Sequence, residues 1–254
     1  MKRLITLLVM ALASTQAFSR DLGPSRNALE FTSTYAVVPV MANLQGVTGS
    51  FFRTRVALMN PTAFTYPIEI SFYGVSGFVS KTTLSMAAGQ LRIYDNFLEE
   101  IFSFIGAGTV KFESERFAGG STNFQFLLNS EVWTTSANGR YGTTVPTNFI
   151  EASNSDAYSA GIKIDASTRS NIGCFNNSSL SNVIEAAVFD SSNNLVTTIT
   201  LTLDPTSWKQ VSIPNAVSSG YVRFRPSQPA FCYAVVVNNT TNDGNFIPAA
   251  EYAP

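Results

Sequence analysis

Residues 51–61 read FFRTRVALMNP, and 116 positions later (167 against 51) residues 167–177 read STRSNIGCFNN, a weaker copy. In the first, Phe52, Thr54, Val56 and Leu58 alternate with Arg53, Arg55 and Ala57, which predicts a strand. Asn60-Pro61 ends it, because Pro61 has no donor and holds Asn60 extended or in a turn. The second copy has Asn171 where the first has Arg55, Cys174 where it has Leu58, and Asn177 where it has Pro61.

Beyond each copy the chain continues in the same order. The alternating run 68–73 (IEISFY) matches 183–190, and residues 78–86 (FVSKTTLSM) match 196–203 (VTTITLTL). Residues 109–112 (TVKF) match 221–224 (YVRF). Asn138-Gly139 is a strong hairpin turn near the end of the first half, answered by Asn242-Asp243-Gly244 in the second. One short helix is predicted in the first half, with Asp95 as N-cap, Phe97, Leu98, Ile101, Phe102 and Ile105 on one face, and Gly106 at its end. The second half is shorter at this point, so the helix is expected to shrink to a turn. The opening strand holds Pro39, which places it at a sheet edge.

The predicted organisation is a signal peptide over 1–17, a lead-in over 18–34, and two domains over 35–149 and 150–254. The fold class is all-β, two tandem immunoglobulin-like β-sandwiches related by an internal repeat. The composition agrees, with 254 residues, 45% hydrophobic, 20 Phe and 9 Tyr, enough for a core in each half. Lys2 and Arg3 precede an apolar run over 4–13 and the small-x-small site Thr15-Gln16-Ala17, so the chain is expected to be exported. That run is too short to span a bilayer, and no membrane span is expected in the mature chain.

The motif FFRTRVALMNP, the alternating strand after it, the Ala-Gly turn before Leu91 and the Asn-Gly turn near the domain end resemble a tandem β-sandwich module of exported bacterial proteins. The resemblance spans nearly all of the mature chain, and it implies the fold and no activity.

Function is narrowed mainly by exclusion. The chain contains no histidine, which removes Ser-His-Asp and Cys-His catalysis and His-ligated metals. After Ala17, Lys and Arg number nine against nine Asp and Glu up to residue 149, then five against eight, so no basic stripe exists for nucleic acid. Arg53 and Arg55 are candidates for holding an anion, although at period two they more commonly meet solvent or a neighbouring carboxylate. Glu113 and Glu115 share a strand face and form a candidate hydrolase pair, with Lys111 beside them. The polar turns 190–194 and 238–245 offer oxygens to calcium, but neither has the twelve-residue loop pattern, so no metal and no cofactor are expected. Residues 176–179 and 238–241 carry glycosylation-acceptor spacings.

Cys174 and Cys232 are the only cysteines. They are read as a disulfide across the second sandwich, contributing roughly 4 kcal/mol in the chain-entropy model, with two buried thiols as the alternative. On that reading reductant weakens residues 150–254 alone, and the halves melt separately. The leading expectation is a non-enzymatic structural or adhesion-type protein, binding protein or glycan at the cell surface through loops or sheet edges. A pilus-type periplasmic chaperone is the alternative, and a carboxylate-dependent hydrolase is held at low weight.

Overall fold

The computed structural model describes residues 35–46, 49–114, 125–136, 139–147 and 152–251. The expected signal peptide and lead-in lie outside the described residues. In chain order the first half gives β1 (Tyr35–Gln45), β2 (Phe51–Met59), β3 (Tyr66–Gly74), β4 (Gly77–Met86), β5 (Leu91–Tyr94), α1 (Phe97–Phe102), β6 (Gly106–Ser114), β7 (Leu127–Ser136) and β8 (Gly139–Thr144). The second gives β9 (Ala157–Ile164), β10 (Thr168–Asn176), β11 (Asn182–Asp190), β12 (Leu195–Leu203), β13 (Trp208–Ser212), β14 (Val217–Pro226), β15 (Ala230–Asn238), β16 (Gly244–Pro248) and β17 (Ala250–Glu251).

All the pairings are antiparallel. One eight-stranded sheet runs β4-β3-β6-β1-β2-β7-β8, with β5 also on β2. The second half forms a four-stranded sheet, β13-β10-β15-β16, and a five-stranded sheet, β12-β11-β14-β9-β17. These two face each other over a core of Ile172, Cys174, Ala234, Ile184, Val188, Leu201 and Phe224, a sandwich-like packing.

The first half is a single bent sheet because β1 changes partner along its length. Asn43 is paired with Gly106 on β6 and with Arg53 on β2, so the strand crosses from one layer to the other. Pro39 therefore sits in an interior strand and not at the expected edge. It is accommodated by a bulge between Val38 and Met41, and its carbonyl accepts from Thr109 Oγ1 at 2.9 Å.

Helix α1 closes over this bend. Its N-cap is Asn96 rather than Asp95; the Asn96 side chain makes no cap bond, and its Nδ2 donates to Asn43 Oδ1 at 3.0 Å. Asn43 Nδ2 donates in turn to Glu99 and to the Phe104 carbonyl. The helix stops early, at Ser103 with φ 50°, so Ile105 and Gly106 lie beyond it. In the second half only residues 213–216 link β13 to β14, the turn that the shorter chain predicted.

Asn60 and Asn176 hold matching corners. Asn60 Nδ2 faces the carbonyls of Phe64, Met86 and Ala87, and its Oδ1 accepts from Thr62 N at 2.9 Å. Asn176 Nδ2 donates to the carbonyls of Leu180 and Asp204, and its Oδ1 accepts from Ser178 N at 3.1 Å. Each buried carboxamide thus pins its own following turn and a turn about 28 residues later, which satisfies carbonyls that no strand reaches (204 against 176).

The halves share a core. Phe175, Trp208, Phe231, Tyr233 and Phe246 belong to the cluster built on Val37, Val56, Phe72, Phe97 and Phe112 of the first half. On β10 and β15, Cys174 and Cys232 point into the second sandwich while Phe175, Phe231 and Tyr233 point into the first half. The sheet carrying them is buried on both faces, which explains the near-continuous burial of residues 172–176. Independent melting of the halves is not expected from such a core.

The disulfide differs from the expected geometry. Cys174 and Cys232 are direct register partners on neighbouring strands of one sheet, with Cα atoms 4.1 Å apart. They do not bridge the two sheets. The short separation is that of a non-hydrogen-bonded antiparallel pair, the position where side chains come closest.

Candidate functional site

Arg53 and Arg55 project from the outer face of β2, and β7 places Trp133 opposite Arg53 and Glu131 opposite Arg55. The Arg53 guanidinium lies 4.6 Å from the Phe51 ring centre and 5.3 Å from that of Trp133, and Arg140 covers Trp133 at 4.3 Å. Arg140 pairs with Glu131 at 2.6 Å, and Arg55 with Asp95 at 3.3 Å. The face is a ladder of stacked rings and ion pairs in which Arg55 and Arg140 meet carboxylates and Arg53 lies over rings, with no ion pair among the described residues. Trp133 and Asp95 complete it from distant parts of the chain, so the sequence could not pair them with the arginines.

Glu113 lies exposed on β6, while Glu115 falls outside the described residues. Directly across from Glu113, β3 supplies Glu69, whose carboxylate pairs with Lys81 at 2.5 Å. Lys111 turns its head toward the second half, still within the field of Glu113. Its ammonium reaches into the second half, between the rings of Tyr73 and Phe175 at 5.0 Å each, and donates to Asn177 Oδ1 at 2.5 Å. Burial pushes its pKa down to about 8, partly opposed by the charge of Glu113.

Several oxygens of the polar turns are already bonded. Asp190 accepts from the amides of Ser192 and Asn194 and from Asn194 Nδ2, and these bonds hold its carboxyl below the usual range. Asn239 and Asn242 turn their Oδ1 atoms to Arg169, at 2.9 and 3.0 Å. Both act as hairpin chemistry. Of the acceptor spacings, Asn176 is buried and its amide is committed to the corner described above.

The outer strands of the sheets differ in their protection. β4 ends the eight-stranded sheet, and Lys81 stands at its middle, tied to Glu69. β12 ends the five-stranded sheet with the sequence LVTTITLTL, nine residues containing neither charge nor proline nor glycine. Leu201 and Leu203 anchor it in the core, and Thr198, Thr200 and Thr202 are exposed. Among the described residues no strand pairs with its far side. Natural edges are usually blunted by lysine, proline or a bulge, because a bare row of backbone N–H and C=O groups is a template for another strand; β12 has one bulge, at its start, where Val188 faces Thr197 and Phe189 faces Leu195, and its pairing with β11 is regular from Thr197 to Leu203. The missing charge over 195–203 is visible in the sequence, but its edge position is not.

Compared with known proteins, the chain matches no protein-family model and no curated protein.

Proposed function

We propose that the protein is a non-catalytic exported binding protein that holds an extended segment of a partner protein along the open edge of β12. The observation that carries this reading is the nine-residue, uncharged edge, anchored on one side by the core and unpaired on the other. Strand addition draws affinity from main-chain hydrogen bonds, and the exposed threonines at every second position would meet alternate side chains of the added segment. The ligand class is an extended, β-branched, weakly charged peptide strand.

We read the two halves as tandem immunoglobulin-like sandwiches from one repeated unit. Support comes from the pairing order β4-β3-β6-β1, matched by β12-β11-β14-β9, and from the Asn60 and Asn176 corners. Export is supported by the leader pattern at the N-terminus and by the paired cysteines. The chaperone reading uses the same edge and differs only in the partner, a subunit awaiting a strand.

Amide hydrogen exchange tests the proposal, using the mature protein with a synthetic peptide of alternating Thr and Val, kept soluble by terminal lysines. Added peptide should slow exchange along β12, and Thr200→Lys should abolish the effect without changing the melting temperature. Unchanged β12 exchange at saturating peptide, or equal protection in Thr200→Lys, rejects the edge as the binding site.

A further inference from the structure

Where the halves meet, the described residues leave a groove of about 320 Å³. Ala42, Phe52 and Val132 line it from the first half, and Trp208, Val237 and Phe246 from the second. Its size is at the small end of ligand sites, with room for roughly ten heavy atoms at ~30 Å³ for each water-sized group.

Its polar groups are sorted by type. Among the described residues no carboxylate lines it, and its one charged side chain is Arg169. Arg55, Arg140, Arg223 and Arg225 each face a carboxylate, while Arg53 and Arg92 make no ion pair among the described residues and lie outside the groove. Arg169 has only the neutral carboxamide oxygens of Asn239 and Asn242, and among the described residues it makes no ion pair. Those two bonds fix the guanidinium at the groove without neutralising it. Asn242 is itself tied to the first half, through Nδ2 donating to Ser50 Oγ at 2.7 Å. The cation is therefore positioned by both halves. Gln210, opposite Gly173 on β13, also lines the groove, and its Oε1 accepts from Tyr233 Oη at 2.9 Å, which leaves its carboxamide N–H groups as donors.

We propose that this groove binds a small amphiphile of about ten heavy atoms in all, with a single carboxylate head and an apolar body. The head would sit on Arg169, where a charge-assisted hydrogen bond replaces solvent, and the body against Phe52, Trp208 and Phe246. The site is separate from the β12 edge and stands or falls independently of it.

The test uses Trp208 as reporter. The chain has two tryptophans, so Trp133→Phe leaves Trp208 as the sole fluorophore. Decanoate should change its emission saturably, decanol more weakly, and decyltrimethylammonium least. Arg169→Gln should weaken decanoate about tenfold or more and leave decanol unchanged, while Arg169→Lys should recover part of the loss. Val132→Phe, which fills the groove and leaves Arg169 intact, should remove the response to all three, and it serves if Arg169→Gln fails to fold. The proposal is overturned by a non-saturable decanoate response, by equal affinities for decanoate and decanol in the parent, or by binding that survives Val132→Phe.

Discussion

Leu58 faces Leu128 across β2 and β7, and at the matching place in the second half Cys174 faces Cys232 across β10 and β15. One cross-strand pair is held by packing and the other by a covalent bond. The outermost strands differ in a similar way, with Lys81 at the middle of β4 and no charge anywhere in β12. The same strand order therefore carries two kinds of burden. The second half serves both as a sandwich and as a floor for the first, since β10 and β15 bury side chains on both faces. Its inner core has fewer large aromatics, and the disulfide lies among its small side chains. Its far edge, β12, away from the shared core, ends its sheet without a charge.

The comparison is tested most severely by Phe175→Ala, which removes a ring of the shared core from a second-half strand. It should cost about 3–5 kcal/mol and shift the unfolding of both halves together in one transition. Two transitions, with only one moved, would show that the shared cluster does not couple them.

Removing the disulfide comes next in size. Cys174→Ala with Cys232→Ala should lower stability by up to about 4 kcal/mol, the chain-entropy value for the 58-residue separation. Because the core is continuous, the loss should be felt across the whole described chain and not in residues 152–251 alone. Hydrogen exchange resolved by half measures this, and protection lost only in the second half would restore the expectation of independent domains.

A smaller effect is expected at Lys111, where the halves touch. Its amine titrates near 8 when folded and at 10.5 as a free side chain, so between those values the unfolded chain binds more protons. Stability should therefore rise with pH across that window as the cost of burying the charge is relieved. The usable range is pH 8 to 10, because Tyr66, raised from 10.0 to about 12 by burial, makes stability fall above it. Melting of the parent against Lys111→Met over that range should show the rise only in the parent. Equal slopes would mean that Lys111 is not buried at the junction.

The smallest change in stability, within about 0.5 kcal/mol, is expected from Lys81→Thr, since its pair with Glu69 is solvent-exposed. Its consequence lies in recognition. With the charge removed, β4 should begin to take up the alternating Thr and Val peptide as β12 does, read by slowed exchange along residues 77–86. If β4 stays inert, the lysine is not what separates the two edges.

The sequence by itself determined the local elements. Alternation at period two, Gly and Asn turns and the break at Asn60-Pro61 are short-range signals, and β2, β3, β4, β10, β11 and β12 were readable from them. The weak copy of residues 51–61 was readable too, as was the loss of the helix where the second half is shorter. The interior placement of Cys174 followed from its alignment with Leu58, an inward position.

Tertiary structure decided everything that depends on which strands become neighbours. That Cys174 lies beside Cys232 in one sheet, that Asp95 meets Arg55, and that Lys111 ends between Tyr73 and Phe175 are contacts across 38 to 64 residues (111 against 73, 175 against 111). No local pattern encodes them. The burial of Phe175 and Tyr233 on the far face of their sheet was likewise hidden, because an apolar run states that both faces are covered without stating by what. The open edge combines both kinds of information: its lack of charge is a property of nine residues, and its exposure is a property of where the sheet stops.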